Sequence, residues 1–404
     1  MKLTFPLILD GATGTALIKN GYPGDISSEE WTLLHPEVIQ SIQRSYIDAG
    51  SQVIYTPTFG ANRIKMRSYG KEDCVRDYNM RLAGLSKEVA EGRAFVAGDL
   101  APSGLSMAPM GEAPFSDIYD LYLEQASALE DAGVDLFVIE TISSVADARA
   151  AMLAVKQVCS KPVMVSFTCN KNGKTFTGAD VAAALVTMQS MGANVFGLNC
   201  SYGPDDMLPQ LKRLSEYTKL PLLAKPNAGI PEMVDGKAVY DCPPEHFISH
   251  LEEMAAAGVM VFGGCCGTDE THVAALSSAV QKLTMCPPSS ERRTDILLST
   301  ERAVFCVDPD MRPGSFIPCD EDIEDNATDL DEDEMLGIDL DADPDLDQLE
   351  ASQWCFQSPV CFTGNDAGIL ESALKRFQGR AAYTGELSAA GLEPLAERYG
   401  LVVL

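Results

Sequence analysis

Along the first 285 residues, short apolar runs alternate with longer amphipathic stretches. The runs are "FPLILDG" (5–11), "SQVIYTPTF" (51–59), "RAFVAGDLAP" (93–102), "VDLFVIET" (134–141), "KPVMVSFTC" (161–169), "ANVFGLNC" (193–200), "PLLAKPNAG" (221–229) and "VMVFGGCCG" (259–267). Each is largely apolar rather than strictly alternating, the pattern of parallel strands covered on both faces. Between them, "DIYDLYLEQASALEDAG" puts Ile118, Leu121, Tyr122, Gln125 and Leu129 near one helix face. "SSVADARAAMLAVKQVC" is similar and opens on a serine suited to capping. "DAGVDLF", "SMGANVF" and "AAGVMVF" repeat one device: a helix ends, glycine takes the cap, and a strand starts two or three residues later. Eight such units predict a closed (β/α)8 TIM barrel over residues 1–285, with the segment 19–34 delaying the first helix. An open doubly wound sheet is the competing arrangement. The strand count favours closure, and no G-x-G-x-x-G follows the first strand.

Beyond the barrel the pattern changes. Residues 286–296 read as a linker, in which prolines stop the last helix and the rest is polar. Residues 297–404 predict a small acidic α/β region. Strand-like "RAVFCVD" is followed by "MLGIDLDADPDLDQLEASQW", a strand and then a helix. Next come "SPVCFTG", the helical "DAGILESALKRFQG", and "RAAYTG", "LEPLAERYG" and "LVVL" as strand, helix and strand. Ile369, Leu370, Ala373, Leu374 and Phe377 share one side of the helix.

Charge sharpens this division. The net charge of the 404 residues is −29, and residues 297–404 hold 24 acidic against 6 basic side chains. From Asp320 to Glu350, 16 of 31 residues are acidic. Apolar residues interspersed there argue against a purely disordered tail. Such a chain should repel nucleic acid and anionic membranes. The N-terminal apolar stretch is too short, and too soon broken by Asp10, for a secretion signal or membrane span. The expected location is the cytoplasm. There the twelve cysteines are thiols or metal ligands rather than a disulfide scaffold.

The barrel expectation sorts the polar residues. Asp10, Asp99, Glu140, Thr168, Cys200, Asn227, Cys265 and Cys266 fall at or just beyond the C-terminal ends of strands, the face where barrel chemistry sits. Cys200 ends the sixth strand, and Cys265 and Cys266 the eighth. Gly263 and Gly264 let the backbone bend so that both adjacent thiols turn inward. Three thiolates and one open position suit zinc. Such a site stays electron-rich and favours attack by a bound substrate thiolate over attack by metal hydroxide. A structural zinc, or three unrelated buried thiols, explains the same residues.

Six motifs together resemble the homocysteine S-methyltransferase family: "ILDGATGT" (8–15), "TPTFGANRIK" (56–65), "FVIET" (137–141), "FGLNC" (196–200), "KPNAG" (225–229) and "FGGCCGT" (262–268). The likeness is greatest to the homocysteine-binding module of cobalamin-dependent methionine synthases and covers about residues 1–285. It implies a zinc-bearing barrel with Cys200, Cys265 and Cys266 as metal ligands. It also implies Asp10 and Glu140 as partners of the substrate ammonium, and methyl transfer to homocysteine to give methionine. Ser103 and Thr168 are candidates for the substrate carboxylate. Asn227 is a candidate oxygen ligand to the metal or an ordering group, and also a plausible turn former. Asp99 is expected to orient the rim. Residues 297–404 loosely resemble the middle of a folate-binding barrel, as a remnant.

Within this family the methyl donor is betaine, S-methylmethionine or a methylated corrinoid. "TFGANRIK" and "GEAPFSDIYDLYLEQASAL" resemble the corrinoid branch. None of the four histidines, His35, His246, His250 and His272, lies in a D-x-H-x-x-G motif, so methylcobalamin is expected on a separate corrinoid-binding protein. His246 and His250 stand four apart on a helical pattern, which reads as ordinary helix surface before it reads as a second metal site. The acidic region reads as solvated surface, as a docking face for a corrinoid or folate subunit, or as a cation site without a full calcium-loop pattern. A non-catalytic zinc barrel is the remaining alternative.

Overall fold

The computed structural model describes residues 3–234, 237–288, 295–328, 334–341 and 343–404. Eight parallel strands form the first sheet: β1 (Leu7–Ile8), β2 (Val53–Tyr55), β3 (Phe95–Leu100), β4 (Leu136–Ile142), β5 (Val163–Phe167), β6 (Val195–Asn199), β7 (Leu222–Lys225) and β8 (Val259–Phe262). Neighbours follow sequence order from β2 to β8, and β8 pairs with β1. A parallel bridge between Leu9 and Val53 joins β1 to β2 and closes the ring. Every predicted strand is present, and the arrangement is a TIM barrel rather than an open doubly wound sheet.

The two faces of each strand are both apolar, as continuous hydrophobic runs require. Leu9, Val53, Tyr55, Val138, Met164, Leu223 and Val261 pack together inside the barrel. Ile54, Phe137, Ile139, Val165, Phe196 and Phe262 face outward into the helix layer. Burying each such side chain contributes about 1.5–3 kcal/mol. The helix Phe115–Asp131 buries Ile118, Leu121, Tyr122, Gln125 and Leu129, the expected face. The next helix, Val145–Val158, is capped by the Ser144 side chain, which accepts from Asp147 N–H. Gly133, Gly192 and Gly258 all take positive φ as helices turn into β4, β6 and β8. The first βα connection holds two short helices, Gly14–Lys19 and Ser28–Leu34, before the barrel helix Pro36–Ala49.

Most of the expected linker, residues 289–294, lies outside the described residues. Next come an antiparallel hairpin, β9 (Ile296–Ser299) with β10 (Val304–Val307), and a five-stranded parallel sheet. The sheet runs in strict sequence order: β11 (Phe316–Pro318), β12 (Leu336–Asp339), β13 (Val360–Thr363), β14 (Ala382–Tyr383) and β15 (Val402–Val403). Consecutive parallel order with intervening helices repeats the local topology of the first sheet without closing it. The hairpin fills one side of it: Leu298 and Val307 pack on Met335, Cys361 and Ala382.

The small region is joined to the barrel through Arg149, on the helix after β4. This guanidinium is 1% exposed. It donates to Gly379 O at 3.1 Å and to Leu374 O, and no carboxylate pairs with it among the described residues. Burial lowers its pKa to about 10, which leaves it charged. No helix among the described residues is long and apolar enough to cross a membrane.

Candidate active site at the barrel mouth

Three strand ends are stitched together where the thiols emerge. Cys200 N–H donates to Lys225 O at 3.1 Å, and Cys265 N–H donates to Pro226 O at 2.7 Å. Ala228 N–H donates to Cys266 O at 2.9 Å. The extension of β7 therefore lies between the extensions of β6 and β8 and holds both. The sulfurs of Cys200, Cys265 and Cys266 come within 4.8 Å of one another. Among the described residues this is the only such cluster of three His, Cys, Asp or Glu ligand atoms. The Cys265 thiol is pushed up to about 12, by its hydrogen bond with Cys200 and by burial. Three converging soft donors of this kind fit zinc.

Gly263 and Gly264 serve a different purpose from the expected bend. Neither has positive φ. A Cβ on Gly263 would stand 2.8 Å from Leu9 Cβ and 3.1 Å from Lys225 Cγ, and one on Gly264 would strike Thr268. These glycines permit close approach: the eighth strand end packs against β1 and the lysine stem. The backbone strain lies elsewhere. Of the five non-glycine residues at positive φ among the described residues, three are Thr141, Cys200 and Ser201, all on this rim. Such conformations cost on the order of 1–3 kcal/mol each and cluster at functional sites.

Beside the thiols lies a buried charge cluster whose centre, Lys225, had no assigned part in the sequence reading. Its Nζ is 3.2 Å from Asp10 Oδ1 and 4.0 Å from Glu140 Oε2. It also sits over the Tyr55 ring, 4.4 Å from the centroid. Burial opposes its charge, but Asp10 and Glu140 outweigh that and hold its pKa well above the usual lysine value. Tyr55 N–H donates to the second Asp10 oxygen at 2.8 Å. Asp99 belongs to the same cluster, and burial followed by the Glu140 charge hold its carboxyl well above the usual range. Asp99 Oδ1, Glu140 Oε2 and Asn227 Oδ1 are buried without a hydrogen-bond donor among the described residues, and Asp10 Oδ1 has only the Lys225 ammonium beside it. Asp10 and Glu140 thus share one ammonium, Asp99 feels both Lys225 and Lys65, and three acceptors lack donors. A ligand bringing positive charge and N–H groups is what this constellation can take up.

The other expected contacts are engaged within the protein. Ser103 Oγ donates to Asp147 at 2.7 Å and accepts from Leu105 N–H at 3.0 Å. Thr168 Oγ1 shares a hydrogen bond with Ser201 Oγ, next to Cys200. Asn199 was not singled out from sequence. Its Oδ1 accepts from Thr141 N–H at 2.8 Å and Ser166 Oγ at 2.9 Å, while its Nδ2 approaches Cys265 Sγ at 4.0 Å. It ties the Glu140 strand to the thiols. The helical pattern at His246 and His250 breaks between helices Pro244–Phe247 and Leu251–Ala256. Both rings instead meet Asp205, at 2.9 and 3.0 Å.

Known proteins resemble this chain over the barrel. The chain is 28% identical to methionine synthase of Mycobacterium tuberculosis over 299 residues, 69% of this chain and 25% of that protein. It is 30% identical to methionine synthase of Mycobacterium leprae over 259 residues, 61% of this chain and 21% of that protein. It therefore spans a quarter or less of these curated relatives. The fold is shared with the homocysteine methyltransferase MmuM from Escherichia coli. The metallated form superposes with a TM-score of 0.58 at 22% identity, covering 68% of this chain and 96% of that one. The apo form gives 0.54, covering 67% and 95%. Residues 7–280 match the family described as Homocysteine S-methyltransferase, and the chain belongs to that family.

Proposed function

We propose that the barrel transfers a methyl group to the sulfur of homocysteine and so forms methionine. One observation carries this reading: three converging thiols stand beside three buried carboxyls, two of which share Lys225. The first set suits a substrate sulfur and the second its ammonium end. Cys200, Cys265 and Cys266 would hold zinc, with Asn227 Oδ1 as a further oxygen donor or an ordering group. Zinc bound there supplies a depressed thiol pKa, keeping the substrate sulfur ionised at neutral pH.

The chain's own residues do the positioning. Asp10 and Glu140 accept from the α-ammonium, and Asp99 adds a third acceptor. Lys225 holds Asp10 and Glu140 in place while the site is open. Ser103 and Thr168 hold the loops around the carboxylate end through Asp147 and Ser201. The substrate thiolate then attacks the donor's methyl carbon in line. A new carbon–sulfur bond forms, the methyl–donor bond breaks, and its electron pair leaves with the donor. The thiol proton has gone to solvent. Orientation and exclusion of water lower the barrier without a protein nucleophile.

The donor we favour is a small onium compound, betaine or S-methylmethionine. The barrel overlaps nearly the whole of the E. coli homocysteine methyltransferase, which supports a barrel that takes its donor from solution. A methylated corrinoid on a separate protein is the second reading, favoured by the sequence likeness to the much longer methionine synthases. Purified zinc-loaded protein with homocysteine, tested against S-methylmethionine, betaine and methylcobalamin, separates them. Methionine from an onium compound alone supports the first, and methionine only with the corrinoid supports the second. No methionine from any donor, with or without a corrinoid protein, refutes the proposal and leaves a non-catalytic zinc barrel.

A further inference from the structure

Asn199 ends β6, one residue before Cys200, and is 1% exposed. Its amide offers two acceptor and two donor positions, and the structure assigns each of them. Oδ1 accepts from Thr141 N–H at 2.8 Å and from Ser166 Oγ at 2.9 Å. Thr141 N–H is a backbone donor and cannot exchange roles, so it fixes which way the amide points. Nδ2 then donates to Thr141 Oγ1 at 2.7 Å and directs its second N–H to Cys265 Sγ, 4.0 Å away.

The other two thiols have donors of their own. The left-handed turn at Cys200 and Ser201 brings Ser201 N–H onto the Cys200 sulfur. The Tyr240 ring lies against Gly267, where a Cβ would stand 2.3 Å from its Cγ, and its hydroxyl hydrogen-bonds the Cys266 thiol. This segment is pinned to the rim. Cys242 N–H donates to Ala228 O at 3.2 Å, and Ala228 N–H donates to Cys266 O at 2.9 Å. A hydrogen bond to a thiolate draws charge off the sulfur and makes it a poorer nucleophile, and outer contacts of this kind tune metal-ligand thiolates.

We infer that Asn199 and Tyr240 are positioning residues that shield the protein's own sulfurs from methylation, so that the substrate sulfur, for which none of these donors is left, is the one that attacks. The inference rests on the methyl-transfer reading above. A methyl donor brought to this rim meets three protein sulfurs besides that of the substrate. Attack by Cys265 would form a carbon–sulfur bond and break the methyl–donor bond, with its electron pair leaving on the donor. The thiolate would become a neutral thioether, and the cluster would lose one of its anionic ligands. Shielding two of the sulfurs through side chains, and the third through a strained backbone turn, directs the chemistry without blocking access.

Methyl iodide tests this without needing a donor site. Zinc-loaded protein is treated with it, digested, and read by tandem mass spectrometry for S-methylation at each cysteine. Asn199→Leu keeps the shape of the side chain and should speed methylation of Cys265 about tenfold, with Cys266 unchanged. Tyr240→Phe should do the same at Cys266 and leave Cys265 unchanged. A merely structural loosening would expose all three sulfurs together. Metal analysis before treatment checks that zinc is retained. Where Asn199→Leu has lost it, Tyr240→Phe, which keeps the ring against Gly267, decides the outcome. Unchanged rates at Cys265 and Cys266 in their respective variants, or equal acceleration at all three cysteines, overturn the inference. If that happens while the protein still forms methionine, only the shielding fails. If each variant unmasks its own cysteine but no donor yields methionine, the shielding stands and the methyl-transfer reading fails.

Discussion

The barrel and the small region are built on one plan with different endings. Both string parallel strands in sequence order with helices between them. In the barrel, β8 returns to β1, so the strand ends converge. In the small sheet, β11 and β15 remain edges and the ends fan outward. Both place acidic residues at these ends, with opposite results. Asp10, Asp99 and Glu140 are 1%, 3% and 8% exposed, and the first and last share Lys225. Asp341 and Asp366 are exposed and accept from Asn365 and from Gly368 and Ile369 N–H. Closure of the sheet, more than residue type, turns a row of carboxylates into a buried cluster.

This contrast can be tested most severely at the cysteines. Cys265→Ala should remove bound zinc and lower methyl transfer by more than the ~100-fold that outer-sphere changes cost. Cys361→Ala, in the small sheet, should leave zinc content unchanged. Metal analysis and methionine formation check both, and undiminished zinc in the first variant would break the comparison. Lys225→Met should cost about 3–5 kcal/mol, because it leaves Asp10 and Glu140 buried beside no cation. A denaturant midpoint close to that of the parent protein would contradict this.

A third difference lies in pH dependence. Burial raises the Asp147 carboxyl to about 6, above its unfolded value, so the folded state holds the proton more tightly. Its contribution is present below about pH 4 and is lost as pH rises to about 6, a change of up to about 3 kcal/mol. Asp147→Asn should flatten that part of the stability profile, as measured by thermal unfolding across the range. The smallest effect belongs to the exposed rim of the small sheet. There Asp341→Ala should shift stability by about 0.5 kcal/mol or less in the same assay.

The barrel was legible because its strands are buried on both faces and its helices end on positive-φ glycines, both local signals. The thiols were legible because Cys200 and the Cys265–Cys266 pair close two strands. Lys225 was not. It looks like an ordinary charge within "PLLAKPNAG", and its partners Asp10 and Glu140 are remote in sequence. Arg149 looks like helix surface in "SSVADARAAML" until the small region packs on it. Gly263 and Gly264 were marked correctly as special but for the wrong reason. Flexibility can be guessed locally, whereas the crowding of Gly263 by Leu9 depends on the closed ring.

Arg149 also bears on how the small region sits on the barrel. Parting the two bodies would let water replace the two carbonyl partners of this guanidinium, so the contact trades hydration of a charge for two charge-assisted hydrogen bonds. Such an exchange specifies orientation more than it adds strength.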